Sequence, residues 1–275
     1  MITVPKIKNF PKDEKIIAIT AYDRPSALSV QNAKVDIVLV GDSLSNVVLG
    51  NKNTTSIGLD EISYHIKAVS KFVDESLLVG DLPFGSSQSG LQIASQHACQ
   101  LVRDGANAVK IEGGSEIFPL VEHLTNHGVP VMGHVGLTPQ KVEEFGGYKV
   151  QGRNLKRSKE IYKEAKLLES AGAFSVVLEC IPFELAKKIT EDLDIPTIGI
   201  GSGSFCRGQI LVFHDLIGWH NENFKFLKQA FGNVSKNIDD AINSFSDSVK
   251  SGKYPSREES WSLDEDLTKE VKKFK

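Results

Sequence analysis

Short apolar runs recur along the chain at 16–20, 36–42, 77–82, 108–112, 131–134, 174–180, 197–201 and 209–213. Each has strand length, and most are apolar without strict alternation, as expected of strands buried on both faces of a parallel sheet wrapped by helices. Between most of them the spacing becomes helical. Leu59, Ile62, Ile66, Val69 and Val73 form one stripe, and Ile161, Ala165, Leu168 and Ala171 form another with lysine and glutamate around the opposite face. The pattern predicts β-α alternation throughout, eight units in all.

The punctuation agrees with this alternation. Gly105 and Gly172 each close a charged helix just before a strand, where a glycine accommodates positive φ, and Val129-Pro130 and Ile195-Pro196 lead into two further strands. No fixed period links the units, which excludes a solenoid. Two connections are long, 43–58 and 136–157, both rich in glycine and polar residues at strand C-terminal ends, the usual place for function. A helical stripe of Ile238, Ala241, Ile242, Phe245 and Val249 precedes a charged tail, 250–275, expected to serve surface or oligomer contacts. The expected organisation is one domain, 1–275, with a helical extension from about 238.

An open doubly wound sheet would produce a similar linear pattern. The polar residues favour a closed α/β barrel of (β/α)8, or TIM, type. Asp42, Asp81, Lys110 with Glu112, His134 and Glu179 stand at the C-terminal ends of five consecutive runs, and in a barrel those ends converge on one mouth. Any one of them alone is equally well a helix cap or a turn acceptor.

Composition narrows the classes. The 275 residues are 40% hydrophobic and 24% charged with a net charge of −3, which excludes fibrous and disordered chains and gives no global positive field for nucleic acid or an anionic membrane. Cys99, Cys180 and Cys206 are too few and too scattered for a disulfide framework or zinc knot. No apolar run has the length of a membrane span, and the first ten residues do not resemble a signal peptide. The expected setting is cytoplasmic, with no nucleic-acid or membrane partner.

Asp42, Asp81 and Glu112 offer hard carboxylate oxygens, which suit Mg²⁺ better than zinc. A metal-free network would hold like charges close together unless Lys110 relieved them. Lys110 and Glu112 are two residues apart and face the same side. With carboxylates around it, Lys110 suits pairing with a substrate carboxylate better than attack as a free amine. Glu179, preceded by Val176-Val177-Leu178, has an apolar setting that suits a general base; an ion pair across the barrel is the alternative. Gly199-Ile200-Gly201-Ser202-Gly203 is similar to the phosphate-binding turns of late barrel strands, and Tyr148, Lys149 and Arg153 lie in a loop that could cover the mouth or form a solvated turn.

Longer blocks carry a resemblance. Thr20-Ala21-Tyr22-Asp23, Val40-Gly41-Asp42-Ser43, Asp81-Leu82-Pro83-Phe84, Val109-Lys110-Ile111-Glu112-Gly113-Gly114, residues 133–140, residues 146–153 and Leu178-Glu179-Cys180-Ile181-Pro182 occur in order. Together they resemble the ketopantoate hydroxymethyltransferase family. The resemblance implies a barrel of the phosphoenolpyruvate/pyruvate type. It also implies transfer of a one-carbon unit from 5,10-methylene-tetrahydrofolate, or a tetrahydromethanopterin, to 3-methyl-2-oxobutanoate in pantothenate and coenzyme A biosynthesis.

By the same resemblance Asp42, Asp81 and Glu112 form the Mg²⁺ site. The 2-oxo acid is held by Asp42, Ser43, Asp81 and Lys110 with His134 near the reacting atoms, Glu179 accepts the proton, and the chain is a homo-oligomer, a decamer. Ser45-Asn46, Gly58 and Arg207 depart from the usual family pattern, and none is an implied ligand. Two rivals remain: a Mg²⁺-dependent barrel of the phosphoenolpyruvate mutase kind, whose nucleophilic cysteine loop is not seen here, and a non-catalytic metabolite-binding barrel.

Overall fold

The computed structural model describes residues 1–219 and 230–274. All eight expected runs form strands: β1 Ile16–Thr20, β2 Ile37–Val40, β3 Leu77–Asp81, β4 Ala108–Glu112, β5 Val131–Gly136, β6 Ser175–Glu179, β7 Thr197–Ile200 and β8 Gly208–Leu211. They pair in parallel in chain order, and β8 returns to β1 with Ala18 opposite Ile210, so the sheet is a closed barrel and the open alternative is excluded.

The helices Arg24–Asn32, Leu59–Val69, Leu91–Arg103, Phe118–Asn126, Leu155–Ser170 and Phe183–Asp192 follow β1 to β6 in turn. Gly105 and Gly172 take positive φ at the ends of two of them. The expected alternation fails after β7. Residues 201–207, Gly-Ser-Gly-Ser-Phe-Cys-Arg, are too short and too rich in glycine and serine for a helix and run directly into β8, after which the first helix, Phe213–Ile217, is short. Among the described residues the outer wall is open there: Ile17 on β1 is 53% exposed and Gln209 on β8 is exposed.

Alternate residues of each strand serve two apolar layers. Ile16, Ala18, Ile37, Leu39, Leu77, Val79, Ala108, Met132, Val177 and Ile198 fill the lower barrel, where the N-terminal helix Val4–Lys8 adds the fully buried Ile7. The other parity packs under the helices. Close approach depends on small residues there. A Cβ on Gly80 would lie 2.5 Å from Ile66 Cδ1, and one on Gly133 2.7 Å from Leu168 Cδ1, so the helical stripes expected from Ile66 and Leu168 seat where the strands lack side chains.

Helix Leu91–Arg103 ends on Asp104, whose carboxylate accepts from Ser63 Oγ at 2.5 Å and Gln100 Nε2 at 3.0 Å and pairs with Lys67 at 3.1 Å. Burial pushes this carboxyl up, but those three donors outweigh it and hold it below its usual range.

The extension forms a helix, Val234–Lys250, four residues longer at its start than the stripe indicated, and none of its residues is buried. The long connections expected to carry function hold only short helical turns, Leu44–Val47, Thr54–Ser56, Pro139–Lys141 and Val142–Phe145.

Candidate active site

Register brings the strand-end residues together. Asp81 is the pairing partner of Lys110 across β3 and β4, and Glu112 that of His134 across β4 and β5. His134 pairs with Val177, so Glu179 stands one step higher on the same inward face of β6. With Asp42 just past β2, all six expected residues except His134 line one cavity of about 850 Å³, joined by Ser43, Tyr148 and Asp215. His134 lies against its wall, between Glu112 and Glu179.

The groups form a chain of charges. Lys110 Nζ is 2.8 Å from Asp81 Oδ1, 3.7 Å from Glu112 Oε1 and 3.4 Å from His134 Nδ1. His134 Nδ1 is 3.5 Å from Glu112 Oε1, and its Nε2 is 3.2 Å from Glu179 Oε2. The ion pair considered as an alternative for Glu179 is therefore present. Yet Asp81 Oδ1, Glu112 Oε1 and His134 Nε2 are buried without a directed hydrogen bond. Charge holds these atoms near one another, and bond geometry does not.

Burial and crowding set the protonation states. Burial, then the charges of Glu112 and Asp81, holds Asp42 well above the usual carboxylate range, and burial also raises Asp81 despite Lys110. Burial acts in the same sense on Glu112, but His134, Lys110 and the Gln140 N–H outweigh it and leave Glu112 below its ordinary value. The surrounding carboxylates overcome the burial that would discharge Lys110 and raise it, which favours the ammonium. His134 is raised to about 9 because Glu112 and Glu179 outweigh burial and Lys110. The site thus holds two cations among four acids.

Each buried carboxylate has one oxygen fastened by an amide. Asp81 Oδ2 accepts from the Asp42 N–H at 2.9 Å, Asp42 Oδ2 from Gln140 Nε2 at 3.0 Å, and Glu112 Oε2 from the Gln140 N–H at 3.0 Å. Gln140 carried no role in the sequence. A neutral residue in a loop offers no signal until the loop is seen folded over the barrel mouth. Tyr22, quoted only as part of a block, is fully buried with its hydroxyl 2.8 Å from Ser43 Oγ. Asp215, which burial pushes up to about 7, lies past the last run in the first turn of helix Phe213–Ile217, where the rule applied to the other strand ends does not reach.

Other expectations divide. Tyr148 enters the cavity, and its phenol is raised by burial and then by Asp42 and Glu179. Lys149 and Arg153 are exposed and do not line the cavity, as a solvated turn would have them. Ser202 is buried and donates to Leu178 O at 2.8 Å, so its hydroxyl fastens the glycine turn to β6. The departures from the family pattern brace the scaffold: Ser45 Oγ donates to Asn53 O, Asn46 Nδ2 to Asn51 O, and Arg207 Nη2 to the Phe10 and Pro11 carbonyls. All three cysteines are free, and burial, then Glu179, pushes the Cys180 thiol up to about 12.

Comparison with known proteins agrees with this geometry. The structure is similar to a phosphoenolpyruvate phosphomutase from Streptomyces platensis (TM-score 0.62, 12% identity, covering 98% of this chain and 93% of that one). It is also similar to 2,3-dimethylmalate lyase of the phosphoenolpyruvate mutase/isocitrate lyase superfamily (TM-score 0.60, 16% identity, 99% of each). At such identities these show the fold alone. In sequence the chain is 46% identical to the 3-methyl-2-oxobutanoate hydroxymethyltransferase of Thermotoga neapolitana over 257 residues, covering 94% of this chain and 95% of that protein. It is 46% identical to that of Pyrococcus furiosus, covering 94% and 92%. The family model of ketopantoate hydroxymethyltransferase matches residues 1–257, and the chain belongs to that family.

Proposed function

We propose that the chain transfers a hydroxymethyl group from a methylene-tetrahydropterin, 5,10-methylene-tetrahydrofolate or its tetrahydromethanopterin counterpart, to 3-methyl-2-oxobutanoate, giving 2-dehydropantoate. One observation carries the assignment of roles: the register that sets Asp81 beside Lys110 and Glu112 beside His134, with Glu179 one step above, on one cavity wall.

Mg²⁺ fits the donor set. Asp42 and Asp81 are raised by burial and repulsion, and Asp81 and Glu112 each keep a buried oxygen without a directed bond. As they stand, no three His, Cys, Asp or Glu side chains among the described residues are arranged as a metal cage. Mg²⁺ needs no such cage, since it retains several waters and takes only one or two carboxylates plus substrate oxygens. Asp42 and Asp81 would hold it with Glu112 reaching it directly or through one of those waters, and when bound it would supply Lewis acidity toward the 2-oxo acid.

Lys110, an ammonium, holds the substrate carboxylate with Ser43 beside it. Glu179, with a side chain 15% exposed toward the cavity, takes the C3 proton, and His134 at 3.2 Å offsets its charge and steadies it. Water cleaves the two C–N bonds that hold the methylene carbon, leaving the tetrahydropterin with both nitrogens protonated and the carbon as formaldehyde. The carbon nucleophile adds to that carbonyl, and its oxygen takes back the proton from Glu179 to complete the hydroxymethyl group. The exposed Ile242, Phe245 and Val249 of helix Val234–Lys250 and the exposed Trp261 support a homo-oligomer, in keeping with the decamer implied by the family resemblance. A cytoplasmic setting is proposed from the family to which the chain belongs; among the described residues no helix is long and apolar enough to cross a membrane. The barrel and its extension are proposed to act as one domain.

The test is isotope exchange. Glu179→Gln is expected to bind the 2-oxo acid with Mg²⁺ yet fail to exchange its C3 hydrogen with deuterium from solvent. Exchange at the wild-type rate would remove Glu179 from the role.

A further inference from the structure

Gln140 sits in the short turn Pro139–Lys141 after β5, 6% exposed, and reaches three other strand ends. Its backbone N–H donates to Glu112 Oε2 at 3.0 Å, and its side-chain nitrogen donates to Asp42 Oδ2 and to Leu82 O, each at 3.0 Å. Leu82 O can only accept, so the amide must present its NH₂ to that side, and the flipped amide would set oxygen against oxygen there. Both side-chain N–H groups are thereby used.

A carboxylate hinged on its side chain has two equivalent oxygens and turns to suit its neighbours. Asp42 and Glu112 cannot turn freely, because Gln140 fixes one oxygen of each. What remains for any other partner is Oδ1 of Asp42 and Oε1 of Glu112, and the latter is the buried atom without a directed bond. The third bond, to the carbonyl just after Asp81, ties the same side chain to the end of β3. One neutral residue thus locks the loop after β5 to the ends of β2, β3 and β4.

We infer that Gln140 is a positioning residue for cation binding: it presents one oxygen each of Asp42 and Glu112 to the cation. This rests on the assignment of those two residues as cation ligands in the proposed function. Groups that orient ligands in this way without touching the metal typically contribute about 10–100-fold to its affinity. An amide suits the task because it donates without adding charge, whereas a lysine there would compete with the cation.

The experiment measures cation binding without turnover. Mn²⁺ is titrated as a probe into wild type, Gln140→Met and Asp42→Asn, and free Mn²⁺ is read by electron paramagnetic resonance. Gln140→Met keeps length and bulk and loses only the two side-chain bonds. Its Mn²⁺ affinity is expected to fall about 10–100-fold, with turnover restored by raising Mg²⁺ and some loss of metal-free thermal stability because Leu82 O and Asp42 Oδ2 lose buried donors. A purely structural role would lower stability alone and leave the Mn²⁺ affinity and the Mg²⁺ dependence of turnover at wild-type values. Should Gln140→Met not fold, Gln140→Asn, whose shorter amide cannot reach both acceptors, is expected to show the same loss. Wild-type Mn²⁺ affinity in the folded Gln140 variant, with Asp42→Asn impaired, would overturn the inference and leave the cation site standing. No binding by wild type would overturn the cation site and the inference with it.

Discussion

Replacing Lys110 by methionine tests the charge balance of the site. The ammonium lies 2.8 Å from Asp81 and 3.7 Å from Glu112, all nearly buried, so its loss leaves carboxylates crowded with one fewer cation. Breaking such a buried pair costs about 3–5 kcal/mol. The protein can limit that cost by protonating a carboxylate, at about 1.36 kcal/mol for each pH unit above the ordinary aspartate value of about 3.9. The ceiling is then about 4 kcal/mol at pH 7 and about 1.5 kcal/mol at pH 5. A carboxylate raised in the folded state favours folding less as pH climbs from its unfolded value toward its folded one, so the deficit of Lys110→Met must grow with pH over that interval. Urea unfolding of both proteins at the two pH values, in metal-free buffer, measures the difference directly. Added Mg²⁺ is expected to narrow it. A deficit equal at both pH values, or none at either, would refute the picture of Lys110 as the counter-charge.

Two further expectations concern the scaffold. Gly133→Ala places a Cβ 2.7 Å from Leu168 Cδ1; overpacking of this kind costs about 1–3 kcal/mol, and chemical denaturation should show it with Mn²⁺ affinity unchanged. Asp104 is held low by Ser63, Lys67 and Gln100, so its contribution is present above its ordinary value of about 3.9 and is lost as pH falls through its lower folded value. Asp104→Asn is therefore expected to be less stable than wild type at neutral pH, with the gap closing in acid.

Much of this was visible in the chain. Asp42, Asp81, Lys110, Glu112, His134 and Glu179 could be picked out because they end five consecutive apolar runs together, although any one of them alone has an ordinary reason to be there as a cap or turn acceptor. Their mutual distances could not. Asp81 meets Lys110 and Glu112 meets His134 only because the register between neighbouring parallel strands sets them level, each pair being separated in sequence by a whole helix. The missing helix after β7 was concealed because 199–203 is similar to a phosphate-binding turn, which hides that 201–207 is the whole connection to β8. Gln140 stayed hidden for a different reason. Its importance lies in two directed N–H groups, and hydrogen-bond geometry leaves no trace in hydrophobic pattern or charge.

The N-terminal helix gives the site a kinetic character. Ile7 and its neighbours pack across the lower end of the barrel, so among the described residues the well opens at the strand C-terminal ends, and Lys110 and Asp81 lie buried within it. With a larger co-substrate seated over that opening, the depth of the well predicts a sequence for its visitors, the small acid first in and, remade, last out; product-inhibition kinetics would read that order.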